Sequence, residues 1–393
     1  MMQRIDNLKT RYGRLISIVL SALLFRLAIY VIYFVVMIVF GDYSEGFTFG
    51  DYLAGWKRWD SGHYIDIADK GYTNCIEDGQ HLMLVFLPLY PFLIKVINAV
   101  LGSYELSGLV VSTIGYAVGC VYFYRTLSNE YDEETAKYSL LALSVFPYGF
   151  FLGGIVTEGL FFGLSAAFLY YLQKDKYYAV AILGFLACLC KLQGGFLAFV
   201  ILAYLLKKGN IVELIKAKDF KGVLKKIVLP GLKTVPMLLG IVVYLLINYS
   251  VEKDPFRFLY YQENHWNHKL GPIWNTFLYS LKNYLGYKFN QAGYVLWLPQ
   301  VVLMLLGLIA VWYGVKCGMK LHHMVYLIVF YLVTFSSTWL ISGGRYCLSI
   351  LPLFMAEGIF LKKHPGARCG VLGVSLSLMI VYMIAYFKGM YVI

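Results

Sequence analysis

Residues 15–40 read LISIVLSALLFRLAIYVIYFVVMIVF and form the first long apolar stretch of the chain. A transmembrane helix needs about 20 consecutive apolar residues to cross the hydrocarbon core, and this stretch exceeds that length. It is too long for a secretory signal and has no small-residue cleavage site, so we expect a retained helix. Similar stretches recur to the C-terminus, and the chain is 60% hydrophobic and only 14% charged. The sequence therefore predicts an all-α polytopic membrane protein.

About eleven membrane helices are expected in a single transmembrane domain that covers residues 1–393. They are predicted at 15–40, 107–125, 138–155, 157–172, 178–191, 194–206, 227–249, 294–316, 321–341, 345–361 and 370–388. Residues 83–101 either span the membrane or lie along its outer surface, because Pro88 and Pro91 interrupt regular hydrogen bonding. Residues 178–206 are long for one helix, and Lys191 followed by Gly194-Gly195 suits a hairpin.

The placement of charge predicts the orientation of the chain. Its formal net charge is +12, and basic residues crowd the N-terminus and one loop, at Arg4, Lys9, Arg11, Arg14, Lys207, Lys208, Lys216, Lys218, Lys221, Lys225 and Lys226. The positive-inside rule makes both regions cytoplasmic, where they contact anionic headgroups rather than nucleic acid. Residues 41–106, an acidic first loop that includes Asp42 and Glu45, and residues 251–292 are then outer loops. We expect the plasma membrane of a prokaryote.

A polar stretch follows the first apolar run: Trp56-Lys57-Arg58-Trp59-Asp60-Ser61-Gly62-His63-Tyr64. A carboxylate at Asp60 is suited to act as a general base toward an acceptor hydroxyl. It is equally suited to cap a helix that begins after it, and spacing does not decide between the two. Trp56 and Trp59 offer flat faces on which a sugar ring can stack, although tryptophan is also common at membrane interfaces without any ligand.

Charged residues inside apolar runs are functional hypotheses, because burying them costs free energy. In this chain they are Arg26, Glu158, Lys191, Arg345 and Glu357. We interpret Ser342-Gly343-Gly344 as a flexible link that lets Arg345 bind a phosphate bidentately, with Lys191 adding a second positive charge. The alternative is an ion pair, such as Glu158 with Lys191, that holds helices together. The spacing of His63, His265 and His268 does not favour a metal site.

Three segments in order carry a family resemblance. Trp59-Asp60-Ser61-Gly62-His63-Tyr64, Phe86-Leu87-Pro88-Leu89-Tyr90-Pro91, and Phe146-Pro147 ahead of Thr157-Glu158-Gly159-Leu160-Phe161 resemble the GPI mannosyltransferase II (PIG-V) family and its prokaryotic relatives. The resemblance implies a GT-C glycosyltransferase fold, with the catalytic acidic residue in the first outer loop, and the matching position is Asp60. It also implies a polyprenyl-phosphate sugar donor, typically of mannose, and favours the surface position of residues 83–101 and the hairpin at Lys191.

The chain also departs from the family pattern. Lys191 stands where the family commonly has an arginine, and Gly159 stands where it has a serine after the Thr-Glu pair. Lysine keeps the charge but loses the bidentate fork of arginine. The GPI precursor as acceptor therefore does not carry over to this chain.

Together these features predict an inverting sugar transfer at the outer face, with Asp60 as general base and no metal or cofactor. The donor phosphate is expected to contact Arg345, Lys191 and Arg58. The substrate-binding residues are expected to be Trp59, His63, Tyr64, Glu158, Trp56 and His265. The acceptor would be a glycan, a glycolipid or a protein. The alternatives are a GT-C transferase with another donor sugar, a glycan ligase, and a transporter or flippase of lipid-linked substrates, for which inverted repeats would be expected.

Overall fold

The computed structural model describes residues 2–41 and 46–392, with side chains from residue 13 onward. Asp42 and Glu45 of the acidic first loop lie outside the described residues, and so do the side chains of Arg4, Lys9 and Arg11. Within the described part the chain is built from helices, and extended residues pair only in two isolated bridges. The predicted all-α fold class is confirmed.

The helices of the first half come in two groups. The first outer loop, residues 41–106, keeps the name of its predicted side, as does the second outer loop below. It holds short helices between the long helices α1 and α5, and a compact group of helices follows. The bounds are α1 Met2–Phe40, α2 Phe49–Trp56, α3 Asp60–Lys70, α4 Leu89–Leu101, α5 Tyr104–Glu130, α6 Glu133–Val145, α7 Glu158–Gln173, α8 Tyr177–Cys190 and α9 Leu197–Lys208. Short 3₁₀ segments lie at Tyr72–Asn74, Leu82–Val85, Gly149–Gly153 and Leu192–Phe196.

The second half begins with the lysine-rich connection and contains the second outer loop. Its helices are α10 Ile211–Lys216, α11 Phe220–Val223, α12 Leu229–Leu232, α13 Leu239–Glu252, α14 Arg257–Asn264, α15 Ile273–Tyr287, α16 Leu298–Lys316, α17 Leu321–Phe335, α18 Gly343–Cys347, α19 Leu351–Lys363 and α20 Arg368–Phe387. Two predicted helices are therefore shorter than expected. Residues 321–341 end at Phe335, and residues 345–361 are divided between α18 and α19.

Among the described residues, five helical stretches are long and apolar enough to cross a membrane. They are Gly13–Phe40, Tyr104–Glu130, Phe220–Glu252, Ala292–Lys316 and Pro365–Phe387. Several expose apolar side chains, and on α1 Leu20, Leu24 and Leu27 are each more than half exposed. Such a surface fits contact with lipid tails. Other apolar helices are only 12 to 16 residues long, so the total of about eleven spans stays a prediction.

A break between α6 and α7 contradicts the helix predicted at 138–155. Helix α6 ends at Val145, just before Phe146-Pro147, where the proline disfavours helical backbone in the residue before it. The Arg26 guanidinium, which is fully buried, donates a hydrogen bond to the Phe150 carbonyl at 3.2 Å. The Phe150 carbonyl, which lies outside a regular α-helix, thereby has a hydrogen-bond partner. Arg26 therefore has a structural role. The break also makes Glu158 the first residue of α7.

Residues 178–206 form the predicted hairpin. Lys191 has extended backbone between α8 and a 3₁₀ turn, and α9 then returns toward the start of α8. The return is fixed by an ion pair between Lys208, at the end of α9, and Asp175, just before α8. Lys191 therefore lies at the far end of both helices from Asp175.

Helix α4 does not have the length of a membrane span. Its 13 residues extend about 20 Å, short of the roughly 30 Å of the hydrocarbon core. Its Tyr90 hydroxyl donates to the Gly108 carbonyl at 3.1 Å, so α4 runs back along the first turns of α5. Because α6, α8, α9 and α17 are similarly short, the surface position of residues 83–101 stays a prediction.

Candidate active site

A cavity of about 220 Å³ lies where the two outer loops meet the helices. It is lined by Asp60, Tyr64, Val85, Phe86, Leu87, Thr157, Glu158, Cys190, Lys191, Leu192, Gln193, Gln262, Trp266, His268, Arg345 and Tyr346. Two carboxylates and two cations thus face one space. They come from four distant segments of the chain, so the fold itself assembles the cavity.

Asp60 is the first residue of α3, and its side chain faces the cavity. Its Oδ2 accepts a hydrogen bond from Arg345 Nη2 at 2.5 Å, and the side chain is 21% exposed. The N-cap position belongs to Trp59, which makes no side-chain capping bond. The capping interpretation of Asp60 is therefore not what the structure shows. A carboxylate in the first turn of a helix interacts favourably with the helix dipole.

Arg345 lies on α18 and bridges two carboxylates. Besides Asp60, its Nε lies 3.3 Å from Glu158 Oε1, and the side chain is 6% exposed. The interpretation of the preceding glycines as a flexible link is wrong. Gly343 and Gly344 are buried, and a Cβ on Gly344 would collide with the Tyr148 ring. The glycines permit close packing, which holds Arg345 in a fixed position.

Glu158 and Lys191 form the ion pair that the sequence offered as an alternative. Lys191 Nζ lies 2.8 Å from Glu158 Oε1 and 3.3 Å from the Ser349 hydroxyl. The Glu158 side chain is 1% exposed and that of Lys191 is 12% exposed. The pair holds α7 against the α8–α9 hairpin, and it also lines the cavity. Glu158 connects both cations, so the four charges form one network.

The second outer loop covers the cavity with Gln262, Trp266 and His268. Asn267 has a left-handed backbone with φ of 51°, and the His268 N–H donates to the Gln262 carbonyl at 2.9 Å. This turn directs His268 to the cavity. Burial lowers the pKa of His268 below its ordinary value, and the nearby Arg345 guanidinium lowers it too, although Asp60 acts in the opposite direction. At neutral pH the imidazole is therefore uncharged and can both donate and accept a hydrogen bond.

His265 was predicted to contact substrate, but it is exposed and does not line the cavity. Its Nε2 lies 3.2 Å from Gln80 Oε1, so it joins the second outer loop to the first. The sequence indicated that this loop contributes to the site, but it did not show which of the two histidines lines the cavity. Only the left-handed turn at Asn267, a residue type that adopts this conformation more readily than most, could have indicated which one turns inward.

Tyr64 lines the cavity as expected, from the second turn of α3. Its ring meets those of Phe86 and Tyr90 edge-on, each with a centroid distance of 5.1 Å. Burial raises the pKa of Tyr64 well above its ordinary value, and the negative charges of Asp60 and Glu158 raise it further. The hydroxyl therefore stays protonated and is available as a hydrogen-bond donor.

The two tryptophans do not line the cavity. Trp56 is 1% exposed, and its ring packs against Tyr33 at a centroid distance of 4.2 Å, so it has no free face for a sugar. Trp59 is 37% exposed and stacks on Tyr391 at 5.7 Å. The predicted contact of Trp56 with substrate is excluded by its burial.

Arg58 and His63 also point elsewhere. The Arg58 guanidinium lies 5.5 Å from the centroid of the Phe387 ring, and it is not among the cavity residues. The His63 ring packs 5.2 Å from Phe86, outside the cavity lining. The phosphate contact predicted for Arg58 and the substrate contact predicted for His63 are therefore not supported by these positions.

Within the described residues, a single grouping of three side chains could hold a metal ion, and it is remote from this cavity. It consists of Glu130, His322 and His323. The Tyr104 hydroxyl at the start of α5 donates to Asp69 of the first outer loop at 3.0 Å. Glu130 is the last residue of α5, whose 27 residues extend about 40 Å. The grouping therefore lies at the opposite end of the molecule.

Comparison with known proteins supports the architecture. The chain is similar to ArnT from Cupriavidus metallidurans bound to undecaprenyl phosphate, with a TM-score of 0.53, 15% identity, and coverage of 94% of this chain and 76% of that one. The apo state of the same enzyme gives a TM-score of 0.51, 14% identity, and coverage of 87% and 75%. The chain has the GT-C fold. With its long apolar helices, it is a multi-pass integral membrane protein.

Residues 87–229 match the family model described as dolichyl-phosphate-mannose-protein mannosyltransferase. The matched part is less than half of the chain, and it contains Glu158 and Lys191 but neither Asp60 nor Arg345. No curated protein matches the chain. These findings support the GT-C class, while the narrower resemblance to GPI mannosyltransferase II stays a prediction.

Proposed function

We propose that this GT-C protein transfers a hexose, mannose or a similar sugar, from a polyprenyl-phosphate donor to an acceptor hydroxyl at the outer face of the membrane. The observation that carries the proposal is the Asp60–Arg345 pair, in which a carboxylate and a guanidinium meet at 2.5 Å in a cavity that also holds Lys191 and Glu158. The family model matched by residues 87–229 and the likeness to ArnT bound to undecaprenyl phosphate support the same reaction class.

Asp60 acts as the general base. Its Oδ2 is held by Arg345, which leaves Oδ1 to accept the proton of the acceptor hydroxyl as that oxygen attacks the anomeric carbon. The bond from the anomeric carbon to the phosphate oxygen breaks on the opposite face of the sugar, so the configuration inverts. The polyprenyl phosphate leaves with the bonding electron pair. A phosphate is a weak base and departs as a stable anion, so no proton donor is needed on that side.

Arg345 and Lys191 stabilise the departing phosphate. In the structure their charges are balanced by Asp60 and Glu158, so the cavity contains two positive and two negative charges. Arg345 holds Asp60 through Nη2 and can donate its remaining N–H groups to phosphate oxygens, whereas Lys191 provides a point charge. Donors that are already fixed in place stabilise developing charge without reorganisation, and this is usually a large part of catalysis.

The second outer loop and Tyr64 of α3 supply the acceptor side. The neutral imidazole of His268, the amide of Gln262 and the hydroxyl of Tyr64 are hydrogen-bonding groups suited to sugar hydroxyls, and Trp266 offers an aromatic face. A glycan, a glycolipid or a protein would present such hydroxyls.

Purified protein incubated with polyprenyl-phosphate mannose, glucose and arabinose, together with membrane glycolipid, glycan and protein extracts that supply acceptor hydroxyls, tests the proposal through release of polyprenyl phosphate. Asp60→Asn should lower the rate about 10²–10⁴-fold, as expected for loss of a general base. The matched control is Asp66→Asn on the same helix, because Asp66 pairs with Lys70 at 3.3 Å and its side chain is 39% exposed. The control should keep its rate. Equal rates for Asp60→Asn and the wild type, release from none of the donors, or release from the arabinose donor alone, would contradict the proposal.

The proposed orientation has its own test. Glu77 is exposed in the first outer loop and Lys218 is exposed in the lysine-rich connection. In a background where the exposed Cys369 is replaced by serine, a cysteine at position 77 should react with a membrane-impermeant reagent added to intact cells, and one at position 218 should not. The reverse pattern would place the Asp60 cavity on the cytoplasmic side.

A further inference from the structure

A second cavity, of about 500 Å³, lies at the end of the molecule opposite Asp60. It is formed by the last residues of α5, α7 and α9 and by the first residues of α17. Its lining residues are Asn129, Glu130, Gln173, Lys174, Tyr204, Lys207, Lys208, Lys320, Leu321 and His322. The volume lies within the range of roughly 300–1,000 Å³ that is typical of small-molecule sites. Nothing in the proposed sugar transfer uses this cavity.

Positive charge dominates the cavity wall. Four lysines line it, and two of them are paired: Lys208 with Asp175, and Lys320 with Glu130 at 3.3 Å. Lys174 and Lys207 also line it, and within the described part of the chain no carboxylate lies within 4 Å of either ammonium. Two cations are therefore available to an incoming ligand.

The imidazoles of His322 and His323 and the carboxylate of Glu130 could in principle hold a divalent cation, but their surroundings oppose it. The Glu130 carboxylate, with its side chain 5% exposed, already contacts both imidazoles and the Lys320 ammonium. A divalent cation there would lie a few ångströms from that ammonium, and like charges repel strongly at such distances in a partly buried site. The site therefore favours an anion.

Backbone geometry adds to this preference. Helix α17 has 15 residues and begins at the cavity wall, where Leu321 and His322 line the space. The first N–H groups of a helix have no partner within it, and together with the helix dipole they attract phosphate. The cavity also lies at the ends of apolar helices, which is the level of lipid headgroups. The lysine ammoniums and the helix start thus converge on the same space.

We propose that this cavity binds a phosphate group, that of an anionic phospholipid in the leaflet opposite Asp60. The lipid would join α5, α7, α9 and α17 at the end where the α8–α9 hairpin closes on Asp175. Phosphate recognition of this kind is separate from the sugar transfer, so it stands or fails independently of the proposed function.

Purified protein in phosphatidylcholine nanodiscs tests the proposal through its melting temperature as phosphatidylglycerol is added in steps. The wild type should be stabilised, and Lys174→Gln/Lys207→Gln should need about tenfold or more phosphatidylglycerol for the same effect, since each lysine near a lipid surface contributes substantially to anionic lipid binding. The matched control is Lys225→Gln/Lys226→Gln, which removes the same charge from exposed residues of the lysine-rich connection that lie outside the cavity. It should respond like the wild type.

Four outcomes would decide the matter. Equal loss in both double variants would show general surface attraction and overturn the site, as would an unchanged response in Lys174→Gln/Lys207→Gln. Stabilisation by manganese or zinc ions in place of phosphatidylglycerol would overturn the choice of an anion. Equal protection by inorganic phosphate, lost in the same double variant, would support the phosphate site and assign it to free phosphate.

Discussion

The packing behind Arg345 yields a prediction at Gly344. A Cβ at this position would meet three atoms of the Tyr148 ring closer than the 3.0 Å that real Cβ atoms keep. The ring has little room to move, because Tyr148 is 3% exposed and stacks on Tyr382 at a centroid distance of 4.9 Å. Replacing Gly344 by Ala must therefore displace α18, the helix that carries Arg345.

The size of the effect follows from this geometry. An extra methyl in a packed interior costs about 1–3 kcal/mol of stability, and a site with a fixed ring on one side belongs in the upper part of that range. Ordinary contact requires 3.4–4 Å. The separation between α18 and the ring must therefore open by about 1 Å, and a shift of that size at a reacting group can lower a rate about 10²-fold. Gly344→Ala should lose both melting temperature and transfer rate.

The assay compares melting temperature in detergent and release of polyprenyl phosphate for Gly344→Ala and Gly370→Ala. Gly370 lies on α20 with nothing within 4 Å of the added Cβ, so its alanine variant should be neutral or stabilised by up to about 1 kcal/mol. Tyr148→Leu removes the obstructing ring. The double variant Gly344→Ala/Tyr148→Leu should therefore lose less stability than the sum of the losses in the two single variants. A melting temperature for Gly344→Ala equal to that of the wild type would refute the reasoning.

Two further substitutions test the charge network and the role of His268 in the loop above it. Lys191→Met leaves Glu158 with Arg345 as its partner, so it should destabilise the protein by no more than the roughly 3–5 kcal/mol typical of a broken buried pair. Adding Glu158→Gln should restore the melting temperature without restoring sugar transfer. A Lys191→Met variant as stable as the wild type would count against the charge network. Because the pKa of His268 is lowered on folding, the unfolded chain binds more protons once the pH falls toward and below about 6.5, so wild-type stability should fall from pH 7 to pH 5. His268→Gln should flatten that fall, measured as melting temperature against pH, while His265→Gln should not change it.

Much of the fold could be predicted because its signals are local. Apolar stretches of membrane length predicted the long helices, and Lys191 with Gly194-Gly195 predicted the hairpin. The break at Phe146-Pro147 was missed, although a proline disfavours helical backbone in the residue before it. The hairpin at Lys191 and the surface position of residues 83–101, which the family resemblance favours, predicted that Glu158 and Lys191 lie on the side of Asp60. The role of the glycines was predicted incorrectly, because the sequence Gly343-Gly344 is compatible with a flexible hinge or with close packing. Only the position of Tyr148 decides between the two.

The membership of the site could be predicted only in part, because contacts across the chain leave no local trace. Arg345 and Asp60 are 285 positions apart, and nothing in either segment states that they touch. The sequence also does not show which side chains are buried. Trp56 looked like a sugar platform, but α1 covers it with Tyr30 and Tyr33. In each case the neighbour that decides the role lies on a separate element.

The backbone at Trp59 bears on the choice between a catalytic and a structural Asp60. Trp59 has φ of 52° and ψ of −129°, a conformation that costs a residue with a side chain about 1–3 kcal/mol. The strained turn sets the first residue of α3 against Arg345, and it is held by the stack on Tyr391 and by the Asp60–Arg345 pair. A loop that served only to connect α2 and α3 could relieve this cost with glycine. Strain kept directly before a carboxylate that is not a helix cap therefore favours the catalytic interpretation of Asp60, on grounds independent of any family resemblance.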